Sequence, residues 1–241
     1  MNSSLQNFHK TSICIYPCLP MRRDPSEQSE MVSQILYGEK VEILKQSGNW
    51  LLIKNCFDQY EGWVDYRGIL EDTADNVEKV VLSNAQMIVV EGQNLLVPAG
   101  AEVEGVKIKK QQPTGKQIIE TAQMFLGIPY LWGGRSSFGF DCSGLVQIVY
   151  KINGMALPRD AKDQAQIGQI VSSLSESFSG DLAFFSTNNQ TITHVGIIID
   201  QQTLIHASGY VRIDTLDQLG IYNKQRQEYT HKLVLIKRII V

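Results

Sequence analysis

The stretch GIPYLWGGRSSFGFDCSGLVQIVY, from Gly127 to Tyr150, limits what this chain can fold into more than any other. Its first half is too rich in glycine to hold a long regular element. Its second half reads as an amphipathic helix, with Leu145, Val146 and Val149 on one face and Asn153-Gly154 as a stop signal. The junction sets one cysteine, Cys142, at the helix N-terminus. Unpaired N–H groups and the positive end of the helix dipole favour thiolate over thiol there, and the thiolate is the nucleophilic form. The rest of the chain is read as parts that serve this sulfur.

Residues 1–72 read as short strands between turns. Ile13 and Ile15, Val41 and Ile43, then Trp50 and Leu52 recur with the period of two of half-buried strands. Ser47-Gly48-Asn49 and Asp58-Gln59-Tyr60-Glu61-Gly62 break them, and a small barrel is the natural way to hide the edges. Residues 73–112 hold a charged link, EDTADNVEK, and two apolar strands around Glu91-Gly92-Gln93-Asn94. These either extend the barrel or are the remnant of a second one. Residues 113–241 form a further domain. Thr114 followed by Gln117 fits a capping box, and Ile118, Ile119, Ala122 and Phe125 line one helical face, which Gly127 and Pro129 end. From Gly180 onward DLAFFS, HVGIIID, TLIHAS and KLVLIKRII read as strands. Helices first and an antiparallel sheet after make this domain α+β.

Composition excludes several classes. A formal net charge of −3 over 241 residues gives no electrostatic case for nucleic acid, and no basic run suggests anionic lipid. No segment approaches the length of a membrane span. The start MNSSLQNFHK lacks a charged-then-apolar leader, so the expected location is the cytoplasm. Cys14, Cys18, Cys56 and Cys142 are too few and scattered for a disulfide scaffold, and Cys14 and Cys18 lack the second half of a zinc site.

Most buried cysteines are inert packing. What raises Cys142 is a pair of histidines on later strands, His194 opening HVGIIID and His206 inside LIHAS. A hairpin turn over Asp200–Thr203 would make the two imidazoles neighbours at one end of adjacent strands. Cysteine activation needs a base within hydrogen-bond reach and a polar group to orient that base. His194 is the candidate base and His206 the candidate orienter. His9 and His231 lack supporting context and are expected at the surface.

The order PYLWGG…FDCSG…LPRDA…GDLAFF…HVGIIID…LIHASG resembles the NlpC-type peptidases, a papain-like group that cuts bacterial cell-wall peptides. YGEKV and GNW…EGWV ahead of it resemble a bacterial SH3-type domain. The combination is similar to the γ-D-glutamyl-L-diamino acid endopeptidases, which cut murein peptides with a free N-terminal L-alanine.

The resemblance implies Cys142 as nucleophile, His194 as general base and His206 as third member. Tyr130 would aim its hydroxyl at the oxyanion beside the Cys142 N–H, or else is an aromatic packed under the loop. The cationic amine of L-alanine needs a carboxylate. Asp141, directly before Cys142, is the best candidate, with a plain helix N-cap as its alternative. Glu30 and Tyr66 match positions that close the amine pocket in similar enzymes, unless they are ordinary barrel-surface residues. Ser143 and Arg159 stand where contacts to a substrate α-carboxylate are expected, although Arg159 beside Asp160 also fits a structural ion pair. Lys162 departs from the small hydroxyl residue frequent in similar sequences.

The expected reaction is thioester-forming hydrolysis on murein peptides, with no metal or other cofactor. The SH3-like domain would act as a lid that admits only short free-amine peptides, consistent with recycling of cell-wall fragments. Two other readings stay open: a wall-peptide-binding protein with a vestigial catalytic fold, and an amidase or acyltransferase of the same fold. Neither the oligomeric state nor the choice between diaminopimelate and lysine is legible.

Overall fold

The architecture is that of a computed structural model, which describes residues 11–71, 80–103, 112–186 and 191–240. The prediction for His9 lies outside the described residues. The N-terminal strands are β1 (Thr11–Cys14), β2 (Cys18–Arg22), β3 (Met31–Leu36), β4 (Lys40–Ser47), β5 (Trp50–Asn55), β6 (Glu61–Asp65) and β7 (Ile69–Glu71). They form one antiparallel sheet in the order β3-β2-β6-β5-β4-β1-β7. Cys14, Leu19, Met21, Ile35, Val41, Leu51, Ile53 and Val64 fill its core. In β5 the fully inward set is therefore Leu51 and Ile53, not Trp50 and Leu52. A run apolar on both faces leaves the period of two without a phase, so sequence alone does not say which face turns in.

The two apolar strands that follow, β8 (Ala85–Val90) and β9 (Gln93–Pro98), make a hairpin of their own. It joins neither large sheet. Val97 of β9, with Val81, Ala99 and Ala101 next to the hairpin, packs into the core of the C-terminal domain.

That domain opens with α1 (Gly115–Gln123). Gln117 N–H donates to the Thr114 hydroxyl at 3.3 Å, and Thr114 N–H donates to Gln117 Oε1 at 2.8 Å, closing the capping box. A short hairpin, β10 (Arg135–Ser136) and β11 (Gly139–Phe140), leads into α2 (Cys142–Ile152), followed by the single turn α3 (Ala161–Gln164). The remaining strands are β12 (Gln169–Val171), β13 (Leu182–Ser186), β14 (His194–Asp200), β15 (Thr203–Ser208), β16 (Tyr210–Leu216), β17 (Gly220–Asn223) and β18 (Glu228–Arg238). Every pairing among them is antiparallel, in the order β12-β18-β13-β14-β15-β16-β17. β17 pairs back onto β18, so the sheet closes into a six-stranded barrel.

Closure gives every strand an inside and an outside. Leu182, Phe184, Val195, Ile197, Ile205 and Ala207 face outward onto α1 and α2. Ala183, Phe185, Ile198, Leu204, Leu216, Ile221 and Ile236 plug the interior. His194 stands directly opposite Phe185 across the β13–β14 ladder, which puts it on the inner side at the barrel mouth.

The apolar face of α2 packs on this barrel, yet every one of its residues is buried. The cover for its polar face is the N-terminal domain. Glu39, fully buried, receives Arg135 through two bonds at 2.7 and 2.9 Å and Lys151 at 2.6 Å. Gln147 accepts from Arg135 Nε at 2.7 Å and donates to Asp58 at 2.9 Å. The Arg135 N–H and Nη1 donate to Gln34 Oε1 and its carbonyl, at 2.9 and 3.0 Å. Such a matched set of buried polar groups fixes how one domain sits on the other.

Candidate active site

The two domains enclose a cleft of about 560 Å³ over the N-terminus of α2. The glycine-rich segment before it is stitched to β16. Tyr130 N–H donates to the Gly209 carbonyl at 2.9 Å, and Pro129 bridges Tyr210. Asp141 ends the segment as the N-cap of α2, accepting the Gly144 N–H at 2.7 Å. Gly144 is required there, because a Cβ would stand 2.1 Å from the Gly134 carbonyl oxygen. Loop and helix thereby lock Cys142 into the cleft wall.

Burial works against the thiolate expectation. Burial pushes the Cys142 thiol up to about 12, with the Asp141 carboxylate adding to it; N–H groups of Val195 and Ser143 and the charge of Arg159 act in the other direction. Desolvation thus opposes the helix terminus at Cys142. The bond to the Val195 N–H ties its sulfur to the start of β14, where His194 begins.

The turn over Asp200–Thr203 forms as expected and brings the two imidazoles together. His194 Nε2 and His206 Nδ1 are 2.7 Å apart. His206 Nε2 continues to Asp214 Oδ2 at 3.1 Å, and Arg212 Nη2 donates to the other Asp214 oxygen at 2.8 Å. Burial, followed by the neighbouring His206 and His231, lowers His194 well below the ordinary histidine range, so it is a neutral imidazole able to accept a proton.

His231 is not the surface residue its context suggested. Its ring stacks on His194 at 4.1 Å between centroids and 27° between planes, and it lines the cleft. The long strand β18 carries it there by closing the barrel against β13 and β17. Burial, with His206 adding to it, lowers His231 to about 4.

Tyr130 lines the cleft half-buried. Burial first, then the proximity of Cys142 and Asp141, raises its phenol to about 12, which keeps it a proton donor. Ser143, Asp141 and Arg159 also meet at the cleft, but in a closed arrangement. Arg159 donates to both Asp141 oxygens at 3.0 and 2.5 Å and to the Ser143 hydroxyl at 3.0 Å. Its Nε reaches Ser33 of the N-terminal domain at 3.1 Å. Asp141 further accepts the Gly133 N–H at 3.0 Å. The ion-pair partner of Arg159 is therefore Asp141 rather than Asp160, and its fork is occupied. Asp141 in turn has its lone pairs engaged as cap and counter-ion, which leaves little capacity for a substrate ammonium.

Glu30 does reach the cleft from the N-terminal domain. Its Oε1 accepts the Trp132 indole N–H at 2.7 Å, and its Oε2 pairs with Arg23 at 2.6 Å. Tyr66 does not. It sits 46 % exposed in the short turn after β6 and is absent from the cleft wall. The tyrosine of the N-terminal domain that lines the cleft is Tyr60, at the other end of that strand and roughly 20 Å away along an extended backbone. Tyr60 donates to Asp160 at 3.4 Å. Lys162 lies on the rim, largely exposed and 4.0 Å from Asp160. Cys14, Cys18 and Cys56 are free thiols outside the cleft, and among the described residues no set of three metal-ligating side chains converges.

Asp214, Tyr60, Trp132 and His231 thus escaped the sequence reading. Asp214 and His206 share a face because β15 and β16 pair His206 with Arg212 and Leu204 with Asp214, a register invisible without the fold.

Residues 127–235 match the NlpC/P60 family, and residues 21–69 match the bacterial dipeptidyl-peptidase SH3 domain. The γ-D-glutamyl-L-lysine dipeptidyl-peptidase of Bacillus subtilis is 30% identical over a region covering 73% of this chain and 71% of that protein. Dipeptidyl-peptidase 6 of Lysinibacillus sphaericus is 26% identical, covering 81% of this chain and 88% of the relative. A solved NlpC/P60 family structure from Bacillus cereus superimposes with a TM-score of 0.84 at 18% identity, over 96% of this chain and 100% of that one. At that identity it speaks for the fold.

Proposed function

This chain belongs to the NlpC/P60 family of cysteine peptidases, and on that premise we propose that it hydrolyses the γ-D-glutamyl–diamino acid bond of murein peptides with a free N-terminal L-alanine. The observation that carries the proposal is Glu30: a carboxylate from the N-terminal domain lines the same cleft as Cys142 and His194. A catalytic domain alone offers an open groove, whereas a carboxylate projecting from a second domain suits a cationic chain end at a fixed distance from the sulfur.

In the proposed reaction Cys142 yields its proton to His194 as the sulfur attacks the γ-carbonyl of D-glutamate. The Tyr130 hydroxyl and the Cys142 N–H receive the developing oxyanion. The His194 imidazolium then protonates the departing amine of the diamino acid, leaving a thioester. Water, deprotonated by His194, hydrolyses that thioester and releases L-Ala-D-Glu. Glu30 is the counter-ion of the L-alanine ammonium, with Tyr60 rather than Tyr66 as the neighbouring hydroxyl. Asp141, Ser143 and Arg159 hold the wall on that side, and the exposed Lys162 is the cation left to meet the glutamyl α-carboxylate. In an intact wall strand L-alanine is bound as an amide and offers no ammonium, so the substrate is peptide already released. We therefore assign the enzyme to recycling of wall fragments in the cytoplasm.

The test is mass-spectrometric digestion of L-Ala-γ-D-Glu-meso-diaminopimelate and of its L-lysine counterpart, each beside its N-acetylated form. Wild type is expected to release L-Ala-D-Glu from free-amine peptides alone, and Cys142→Ala to release none. Equal cleavage of acetylated peptide would remove the amine gate. Failure on all four would refute the substrate assignment.

A further inference from the structure

Two imidazoles in series can run their protons either way. If His206 donates from Nδ1, then His194 accepts at Nε2 and carries its proton on Nδ1, the ring nitrogen that His206 leaves free. An imidazole in that tautomer cannot take a proton from a thiol there. In the opposite order His194 donates from Nε2 and keeps a bare Nδ1. Both orders satisfy the 2.7 Å contact between the rings equally well.

We propose that Asp214 is the positioning residue that selects the working order, so that His194 presents an unprotonated Nδ1 to the Cys142 thiol. A carboxylate only accepts. Asp214 Oδ2, 3.1 Å from His206 Nε2, requires the proton of His206 to sit on Nε2. The Nδ1 of His206 is then a lone pair, and His194 donates to it from Nε2. Arg212 holds the carboxylate from its other oxygen at 2.8 Å and stacks over Tyr210 at 5.3 Å from the ring centroid. Gly196 completes the arrangement on β14. A Cβ there would come within 3.1 Å of His206 Cβ and 2.5 Å of Leu204 Cδ1, so its absence lets His206 lean against β14.

His231 stacks on His194 and is bonded through Nδ1 to Thr230 Oγ1 at 2.9 Å, Phe185 lies 5.9 Å from the His194 ring, and Arg212 is the nearby cation. Against the burial that would raise it, the bonds from His206 and Arg212 hold the Asp214 carboxyl below its usual range, so it is ionised at neutral pH.

This inference rests on Cys142 and His194 as nucleophile and base, so its test has an arm independent of turnover. Imidazole nitrogen NMR of 15N-labelled protein carrying Cys142→Ala should show both His194 and His206 as Nε2–H tautomers. Adding Asp214→Ala should release His206 to a mixture and move the His194 signals. With Cys142 present, Asp214→Ala should lower kcat at least about tenfold, KM staying within about twofold, because a misassigned tautomer removes the base without touching the substrate. Asp214→Asn can turn its carbonyl oxygen toward His206 and should recover most of that loss. An Nδ1–H tautomer of His206 in the first protein overturns the proposal even where Asp214→Ala does not fold. So does an Asp214→Ala enzyme with unchanged tautomers and kcat. A wild type inactive on the peptides would instead refute the assigned reaction, while the NMR result still decides the role of Asp214.

Discussion

Replacing Glu39 by Gln tests whether the two domains are held by a buried charge cluster. The change removes one negative charge and almost no volume. It leaves Arg135, fully buried, and Lys151, 3% exposed at its side chain, without their shared anion. Lys151 keeps Glu102 at 2.9 Å, but Arg135 retains only the neutral oxygens of Gln34 and Gln147. Breaking a buried pair from one side costs about 3–5 kcal/mol. The depressed Glu39 carboxyl gives a second figure. Although burial opposes it, Arg135 and then Lys151 hold the Glu39 carboxyl down to about 2 from its ordinary 4.5. That difference corresponds to on the order of 3 kcal/mol. The unfolded chain takes up this proton near pH 4.5 and the folded chain only near 2. The stabilisation is therefore complete above pH 4.5 and disappears as pH falls through that window. Thermal unfolding at pH 7, followed by circular dichroism and tryptophan fluorescence, should show Glu39→Gln melting roughly 6–20 °C below wild type. The gap should narrow progressively below pH 4.5. A Glu39→Gln melting point within about 2 °C of wild type, or a gap that does not change with pH, would refute the account.

Glu30→Gln should raise KM for free-amine peptides by about 10- to 150-fold, the value of a charge-assisted hydrogen bond, and leave the N-acetylated peptides unaffected; steady-state kinetics on both forms decides it. Gly196→Ala should cost about 1–3 kcal/mol in urea unfolding, because its Cβ would meet the packed Leu204 and His206 side chains and the Ile205 carbonyl, and should lower kcat by displacing His206. Alkylation of Cys142 by iodoacetamide near neutral pH should be slow relative to free cysteine, since the thiol is raised to about 12. Fast alkylation that persists to pH 5 would reveal a thiolate–imidazolium pair instead. The acid limb of kcat/KM should fall below pH 6.5, because His194 is lowered and keeps its base form into more acid solution; a limb above 6.5 would contradict its burial.

Cys142, His194 and His206 were readable in the chain because each is announced by local pattern: a glycine loop before a helix, and histidines at fixed places in alternating apolar runs. Tyr130 came only from the resemblance carried by PYLWGG. What stayed hidden depends on matters of register and docking. The amphipathic pattern of α2 indicates one buried face and is silent about Gln147 and Lys151, whose polar ends are covered by a different domain. Asp141 and Arg159 were seen singly, and their mutual pairing, which occupies both, belongs to three dimensions. Tyr60 and Tyr66 bracket one short strand, so choosing between them needs to know which end of β6 meets the cleft. His231 shares the inward side of β18 with Leu233, but only barrel closure gives that side a meaning.

That closure also has a consequence for the order in which the protein becomes an enzyme. β18 is the seam: it pairs with β12, β13 and β17, and it contributes the ring that lies on His194. Cys142 sits roughly ninety residues upstream of this strand. On a ribosome, the N-terminal domain and the cysteine helix emerge with their partners still unsynthesised, and the histidine cluster has no roof until the seam arrives. Hydrolytic competence is thereby withheld from a growing chain, and a protein cut between Ile152 and Glu228 retains its thiol without the enclosure that makes it useful.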